Sequence, residues 1–308
     1  MFSWLLSVVL SLLLAPANAA PQGYQPPPPP AQSSLPLATA KPAPLPVRKD
    51  ADRLGVDTLS QSAAVVDWRS GILLFGKNEN QPQPIASITK LVTALVVLDL
   101  GLDQSKTVQV LDADTRPGGI PYIAPGDTVT VSDLLHISLI ASGNNATAAL
   151  ARATGLSEEA FAGKMNTLAA RIGMTDAHFV EPTGLDSGDQ ASARDVAALI
   201  RAALSSEVIR GIVTRQSFTY TTVEGRQRTV RSTDELLGTF LSKPPYLFLG
   251  GKTGFIDEAG YCFAAAAQDG AGDKIIAVAL GAPTAEARFS DVKALLFWAF
   301  DAFRWPAE

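Results

Sequence analysis

The apolar residues of this chain change their spacing twice, and that change leaves few folds open. Ala63 to Asp67 and Ile72 to Phe75 are short apolar stretches parted by Trp68-Arg69-Ser70-Gly71, which is the pattern of a hairpin. Tyr261 to Ala267 and Ile275 to Leu280 flank the polar, glycine-containing run Gln268 to Asp273 and predict a second hairpin. Between the two the spacing turns helical. Ile88, Leu91, Val92, Leu95 and Leu98 fall on one helix face, and Leu134, Leu135, Ile137, Leu139 and Ile140 follow a capping pair, Ser132-Asp133. Further helices are predicted over Glu158 to Ile172, stopped by Gly173, over Asp195 to Leu204 with Ser192 as N-cap, and over Glu286 to Phe303. Phe218 to Tyr220 and Arg228 to Val230, around Glu224-Gly225, predict a small extra hairpin. Strands at both ends of a domain commonly meet in one sheet. The expected class is therefore α+β: an antiparallel sheet flanked by helices, plus a mostly helical lobe.

The first fifty residues of the 308 stand apart. Met1 to Leu14 is almost wholly apolar and leads to Ala15-Pro16-Ala17-Asn18-Ala19, the small-x-small pattern of a signal-peptidase site. A span of that length falls short of the roughly 20 residues a membrane helix needs. Residues 1–20 are thus read as a signal peptide, with a retained N-terminal anchor as the alternative. Residues 21–53, with five consecutive prolines from Pro26 to Pro30, read as an extended Pro-rich linker. Residues 54–308 then form one domain, exported and facing the periplasm or cell wall. The lone cysteine, Cys262, excludes an intrachain disulfide and lies in the apolar run Ala259 to Ala264, where it reads as a packing residue. With 25 basic and 30 acidic residues and no basic stripe, nucleic acid is not an expected partner. The apolar stretch Val292 to Trp305 raises a membrane-surface helix, but its polar residues Asp291, Lys293, Asp301 and Arg304 lack the basic excess that anionic lipids attract. Packing on the sheet is the expected role.

Three short motifs carry the chemistry. Ser87-Ile88-Thr89-Lys90 opens a helix-like run, so Ser87 and Lys90 share one face with Cβ atoms roughly 5–6 Å apart. A serine hydroxyl is a weak nucleophile until a base removes its proton. Lysine can be that base when burial, or the positive end of the helix, disfavours its charged form. Ser142-Gly143-Asn144 follows a helix ending at Ala141, and Gly143 permits a turn that brings both flanking side chains into a cleft. Lys252-Thr253-Gly254 follows the apolar Tyr246 to Leu249, which fits an edge strand. Each motif alone is an ordinary surface lysine or turn. Their occurrence together, in this order, is what points to catalysis.

In these motifs the chain resembles the serine DD-peptidases, the low-molecular-mass penicillin-binding proteins. The likeness extends through Pro84-Ile85-Ala86, Phe179 to Leu185, Ser192 to Asp195 and Ala259 to Cys262, and covers nearly all of Ala63 to Phe303. It implies a DD-peptidase/β-lactamase-like fold with Ser87 as acyl-enzyme nucleophile, Lys90 as general base and Ser142 as proton relay. It further implies that Asn144 holds the substrate amide and that Lys252, Thr253, Gly254 and Phe255 line the substrate site. Thr253 would receive a terminal carboxylate, while the backbone N–H groups of Ser87 and Phe255 would form the oxyanion hole. The implied substrates are peptidoglycan peptides ending in D-Ala-D-Ala, with β-lactams as covalent inhibitors and a place in cell-wall biogenesis and cell shape. No cofactor and no metal are implied.

Ser232-Thr233-Asp234 stands where relatives often carry an Asn-Thr-Asn-like segment, and Phe255-Ile256 follows the Lys-Thr-Gly where a hydroxyl residue is frequent. These departures bear on substrate preference. A chain stopping at Glu308, together with Phe-Val-Glu-Pro-Thr-Gly-Leu, looks like the endopeptidase branch, but carboxypeptidase and endopeptidase both stay open. Three other readings are weaker. A class A-like β-lactamase needs a deacylating carboxylate, and Glu181-Pro182 is a candidate that lacks the accompanying asparagine. A non-catalytic wall-binding protein would have lost a member of the Ser87, Lys90, Ser142 and Lys252 set. A zinc peptidase has only His136 and His178 to draw on, without metal-ligand spacing.

Overall fold

The computed structural model describes residues 45–50 and 55–306. The chain divides into Met1–Pro42 and Ala43–Glu308, and the second unit holds the fold. The expected signal peptide and most of the Pro-rich linker lie outside the described residues.

In chain order the elements are β1 (Val47–Arg48), β2 (Ser62–Asp67), β3 (Leu73–Lys77), β4 (Gln83–Pro84), α1 (Thr89–Asp99), β5 (Thr107–Gln109), β6 (Thr128–Thr130), α2 (Val131–Ile140), α3 (Asn144–Ala153) and α4 (Glu158–Arg171). There follow β7 (Gln190–Ala191), α5 (Ala193–Ser205), α6 (Glu207–Val213), β8 (Ser217–Thr221), β9 (Gln227–Arg231), β10 (Leu247–Ile256), β11 (Gly260–Gln268), β12 (Lys274–Ala282), α7 (Ala285–Ala302) and β13 (Phe303–Arg304). The main sheet has the antiparallel order β10-β11-β12-β2-β3. Both predicted terminal hairpins are present in it. They join where β12 pairs with β2, from Ile275 opposite Asp67 to Leu280 opposite Ser62.

Side chains alternate across this sheet, as the period of a strand requires. Ala64, Val66, Ala264, Ala266, Ile276 and Val278 face the larger core beside α1, α2 and α5. Ala63, Val65, Phe263, Ala265, Ile275 and Ala277 face the other core, where α7 contributes Phe289, Val292, Leu295, Leu296 and Ala299. Helices on both faces explain why these strands read as continuous apolar runs instead of alternating ones. The expected packing of the terminal helix on the sheet is met. Asp291, however, is not on a solvated face: it is buried and accepts hydrogen bonds from Ser60 N (2.8 Å), Ser60 Oγ (2.5 Å) and Leu59 N (3.3 Å).

Other local readings need correction. Helix α2 is capped by Thr130, not Ser132: Thr130 Oγ1 accepts from Asp133 N and Asp133 Oδ2 accepts from Thr130 N, both at 3.0 Å. Helix α1 is buried from Thr89 through Ala94, so it has no single apolar face. Val47 and Arg48, assigned to the linker, pair as β1 with β13, and Lys49 N donates to Ala302 O at 2.8 Å. A two-residue strand held by backbone bonds leaves no side-chain pattern to read. Helix α3 was not foreseen, because Leu150 is its only large apolar side chain.

Candidate active site

Ser87 sits on a single tight turn, Ala86–Ile88, that runs into α1. Ala86 has φ +49°, a left-handed conformation that costs a non-glycine residue about 1 kcal/mol. Two glycines lie hard against the turn. A Cβ on Gly254 would lie 2.6 Å from Ile85 O and 3.2 Å from Ser87 N, so only glycine lets β10 pass this close. A Cβ on Gly184, where φ is +77°, would lie 2.0 Å from Ala86 O. The glycine of Lys-Thr-Gly is therefore required by the approach of β10 to the turn that carries Ser87.

Lys90, on the first turn of α1, has no solvent exposure. Its Nζ donates to Ser87 Oγ at 2.8 Å and to Thr183 O at 2.5 Å. Burial lowers its pKa to about 7, against the opposing pull of the Glu181 and Asp189 charges. Near neutral pH, part of the population thus carries a free amine beside a serine hydroxyl.

Ser142 follows the end of α2 with φ +57°, and Gly143 is pressed against Ile137, whose Cγ2 would be 2.8 Å from an added Cβ. Ser142 Oγ accepts from Lys252 Nζ at 2.9 Å, and Lys252 Nζ also donates to Thr253 O at 2.9 Å. Lys252 is buried, which drives its pKa well down, and the positive charges of Lys90 and Arg288 push the same way. Asn144 opens α3. Its Nδ2 donates to Pro117 O (2.9 Å) and Gly118 O (3.2 Å), while its buried Oδ1 has no hydrogen-bond partner. Thr253 Oγ1 and Thr233 Oγ1 share a hydrogen bond of 2.6 Å.

These residues surround one cleft of about 610 Å³. Ser87, Ser142, Asn144, Thr253, Gly254 and Phe255 line it, and Lys90 and Lys252 lie beneath its wall. The structure thus brings all eight predicted positions together. It adds Arg288, on the first turn of α7, which the sequence did not single out. Arg288 lines the cleft, donates to Gly254 O at 3.1 Å and lies over the rings of Tyr261 and Phe289. No spacing announces an arginine at the start of a packing helix. Phe255 is 45% exposed and stacks on Tyr261 with ring centroids 4.3 Å apart.

The Glu181-Pro182 segment forms a closed loop. Glu181 accepts from Thr183 N (2.8 Å), Thr183 Oγ1 (2.8 Å) and Leu185 N (2.7 Å), so its carboxylate is occupied by its own loop. Asp234 is buried and accepts from Leu236 N at 2.9 Å, and burial pushes its pKa up to about 7. Cys262 is buried behind the cleft strand, its thiol pushed up to about 11 by burial. His136 stacks on Phe218 at 4.1 Å, and His178 bridges to Gln190 through its backbone.

Ser87, in a turn with left-handed backbone at Ala86, thus lies against a fully buried lysine, a pairing of a hydroxyl with an amine that suits a serine hydrolase. The sequence profile of the D-alanyl-D-alanine carboxypeptidase family matches residues 48–284, and the chain belongs to this family. It is 32% identical over 253 residues to D-alanyl-D-alanine carboxypeptidase DacF of Bacillus subtilis, covering 79% of this chain and 63% of that protein's length. It is 32% identical over 236 residues to a D-alanyl-D-alanine endopeptidase of Pseudomonas aeruginosa, covering 74% of this chain and 73% of the relative. Among solved structures, the Streptomyces K15 DD-transpeptidase superposes with a TM-score of 0.75 at 27% identity, covering 81% of this chain and all of that one.

Proposed function

We propose that the chain is a serine DD-peptidase that cuts the D-Ala amide of peptidoglycan stem peptides by acylation and deacylation. The observation that carries this reading is the 2.8 Å contact between Ser87 Oγ and a fully buried Lys90 amine whose pKa burial lowers to about 7. Ser87 attacks the carbonyl while Lys90 takes its proton, and a covalent ester replaces the amide. Ser142, bonded to Lys252, hands a proton to the leaving amine. Asn144 binds the substrate amide, and Thr253, with Arg288 and Lys252 behind it, receives the terminal carboxylate. The strand around Gly254 and Phe255 supplies the second backbone donor of the oxyanion hole, a contribution of a few kcal/mol. Lys90 is freed of its proton as Ser142 is reprotonated; water then releases the acyl group, Lys90 taking a proton from it and returning that proton to Ser87 Oγ as the ester breaks. β-Lactams, whose ring amide mimics the scissile bond, acylate the same serine.

The occupied carboxylate of Glu181 argues against a deacylating base of the β-lactamase kind, since binding water would cost it a backbone hydrogen bond. The apolar leader and its small-x-small site support export to the compartment where peptidoglycan lies. Among the described residues no helix is long and apolar enough to cross a membrane. Relatives named carboxypeptidase and endopeptidase match alike. The test is labelling with fluorescent penicillin followed by muropeptide chromatography. Ser87→Ala abolishes both label and digestion, and a variant that keeps either overturns the reading. Release of free D-Ala marks a carboxypeptidase, and conversion of cross-linked dimers to monomers marks an endopeptidase.

A further inference from the structure

Behind Lys90 lie two carboxylates that the reaction above does not use. Glu181 folds the Glu181–Leu185 segment into a ring by accepting from Thr183 and Leu185, which leaves Thr183 O aimed at Lys90 Nζ. Pro182 O, in the same ring, accepts from Thr93 Oγ1 of α1 at 2.6 Å. Asp189 closes the ring from outside: its Oδ1 accepts from Val180 N (2.7 Å) and Glu181 N (3.2 Å). Its backbone carbonyl accepts from Ile85 N at 3.2 Å, two residues before the nucleophile. Asp189 therefore ties the ring to the segment that carries Ser87.

We propose that Glu181 and Asp189 are positioning residues for Lys90, fixing its acceptor carbonyl and, through their negative charge, the pH at which its amine becomes free to take the serine proton. The inference rests on the acyl-enzyme reading of Ser87. Among the described residues neither carboxylate forms an ion pair, and the cation they act on is Lys90. The other charge close to Lys90 is Lys252 on β10, which acts in the opposite sense. Asp189 is fully buried, with Oδ2 lacking a hydrogen-bond partner; Thr89 Oγ1 on α1 is near enough to favour its anion without forming a bond of normal geometry. Burial and the neighbouring Glu181 push Asp189 up to about 7, so its charge changes in the range where Lys90 titrates.

Asp189→Asn separates charge from shape, because Val180 N and Glu181 N both donate to the one oxygen that the amide keeps. Glu181→Gln keeps only one of the two oxygens that accept from Thr183 N and Leu185 N, so its plateau rate should fall as well as its midpoint. The readout is the second-order rate of labelling by fluorescent penicillin between pH 5 and 9. The wild-type rate should rise through a midpoint near 7. In Glu181→Gln the limb should move to lower pH, so that the rate at pH 6 is a larger share of the plateau by about threefold, as a half-unit displacement gives. In Asp189→Asn, whose carboxyl is mostly protonated at pH 6 in the wild type, the displacement should appear in the part of the limb near and above pH 7. A merely structural role would lower the plateau and leave the midpoint in place, and midpoints coinciding with wild type overturn the proposal. Asp189→Ala, which removes the acceptor as well, should lose plateau rate. If thermal unfolding shows Asp189→Asn to be unfolded, Glu181→Gln decides by the same criterion. A wild-type protein that takes no label at any pH would overturn the acyl-enzyme reading instead, and this inference with it.

Discussion

Gly184→Ala tests the clamp around Ser87 directly. At φ +77° an alanine carries about 1–2 kcal/mol of left-handed strain. The larger effect is steric, since the new Cβ would lie 2.0 Å from Ala86 O, 2.4 Å from Ala86 C and 3.0 Å from Ser87 N. All three are backbone atoms, so no rotamer relieves the overlap. Opening the shortest contact even to 3.0 Å separates the two segments by roughly 1 Å, at a further cost of about 1–3 kcal/mol for overpacking. Thr183 O, the acceptor of Lys90, precedes Gly184 and moves with it. A misplacement near 1 Å in a catalytic constellation costs about 10²-fold in rate, or roughly 2.7 kcal/mol of barrier. We expect acylation by fluorescent penicillin to slow about a hundredfold and thermal stability to fall by about 2–5 kcal/mol. Gly155→Ala is the control: φ is +80° but nothing lies within 4 Å, so strain occurs without overlap. It should lose about 1 kcal/mol and acylate at the wild-type rate. Acylation of Gly184→Ala within threefold of wild type, or equal slowing in Gly155→Ala, would refute the clamp.

Three further outcomes can be measured separately. Lys90→Met should stabilise the protein while abolishing acylation, because the lysine's folded pKa of about 7 lies below its ordinary 10.5. A lysine depressed in the folded state costs stability below its folded pKa, and the cost fades as pH rises toward 10.5, so the gain should be greatest at pH 6, up to about 5 kcal/mol, and shrink by pH 9; denaturant melts showing the reverse trend would refute the burial argument. Asp291→Ala should destabilise by about 3 kcal/mol through the unpaired Ser60 N–H yet leave the acylation rate of folded protein unchanged, and a stability within 0.5 kcal/mol of wild type, on the order of a neutral surface change, would count against it. Cys262, buried and pushed up to about 11, should resist a disulfide reagent at pH 8 until denaturant is added; rapid native labelling would show that the strand behind the cleft opens.

Much of the site could be read from the sequence because its chemistry is concentrated in three contiguous motifs, each at an element boundary that the local pattern also marks. Ser87 and Lys90 are linked by helical spacing alone. The terminal hairpins were legible for a similar reason, since each is a local object with its own turn. What could not be read depends on long-range packing. Arg288 reaches Gly254 across 34 residues, and Asp291 finds Ser60 across 231. The roles of Gly184 and Gly254 emerge only when two segments meet at the Ala86–Ser87 peptide. Helix α3 is held by small alanines against α1 and α2, and small residues give periodicity little to work with.

The charges around the cleft oppose one another in a way that limits the pH range of the enzyme. Lys90 titrates near 7, and Lys252 is driven below its ordinary range by burial. Burial pushes Asp189 and Asp234 up to about 7. As pH rises through that value, Lys90 loses positive charge and the two carboxylates gain negative charge. Both changes make the cleft less positive. On the roles proposed for Lys90 and Thr253, the same rise that frees the Lys90 amine weakens the field that attracts a substrate carboxylate. Acylation of a bound peptide should therefore climb with pH while its binding loosens, and kcat/KM should pass through a maximum. An uncharged substrate, amidated at its terminal carboxylate, should show the rising limb without the falling one, which assigns the falling limb to lost attraction and not to lost structure.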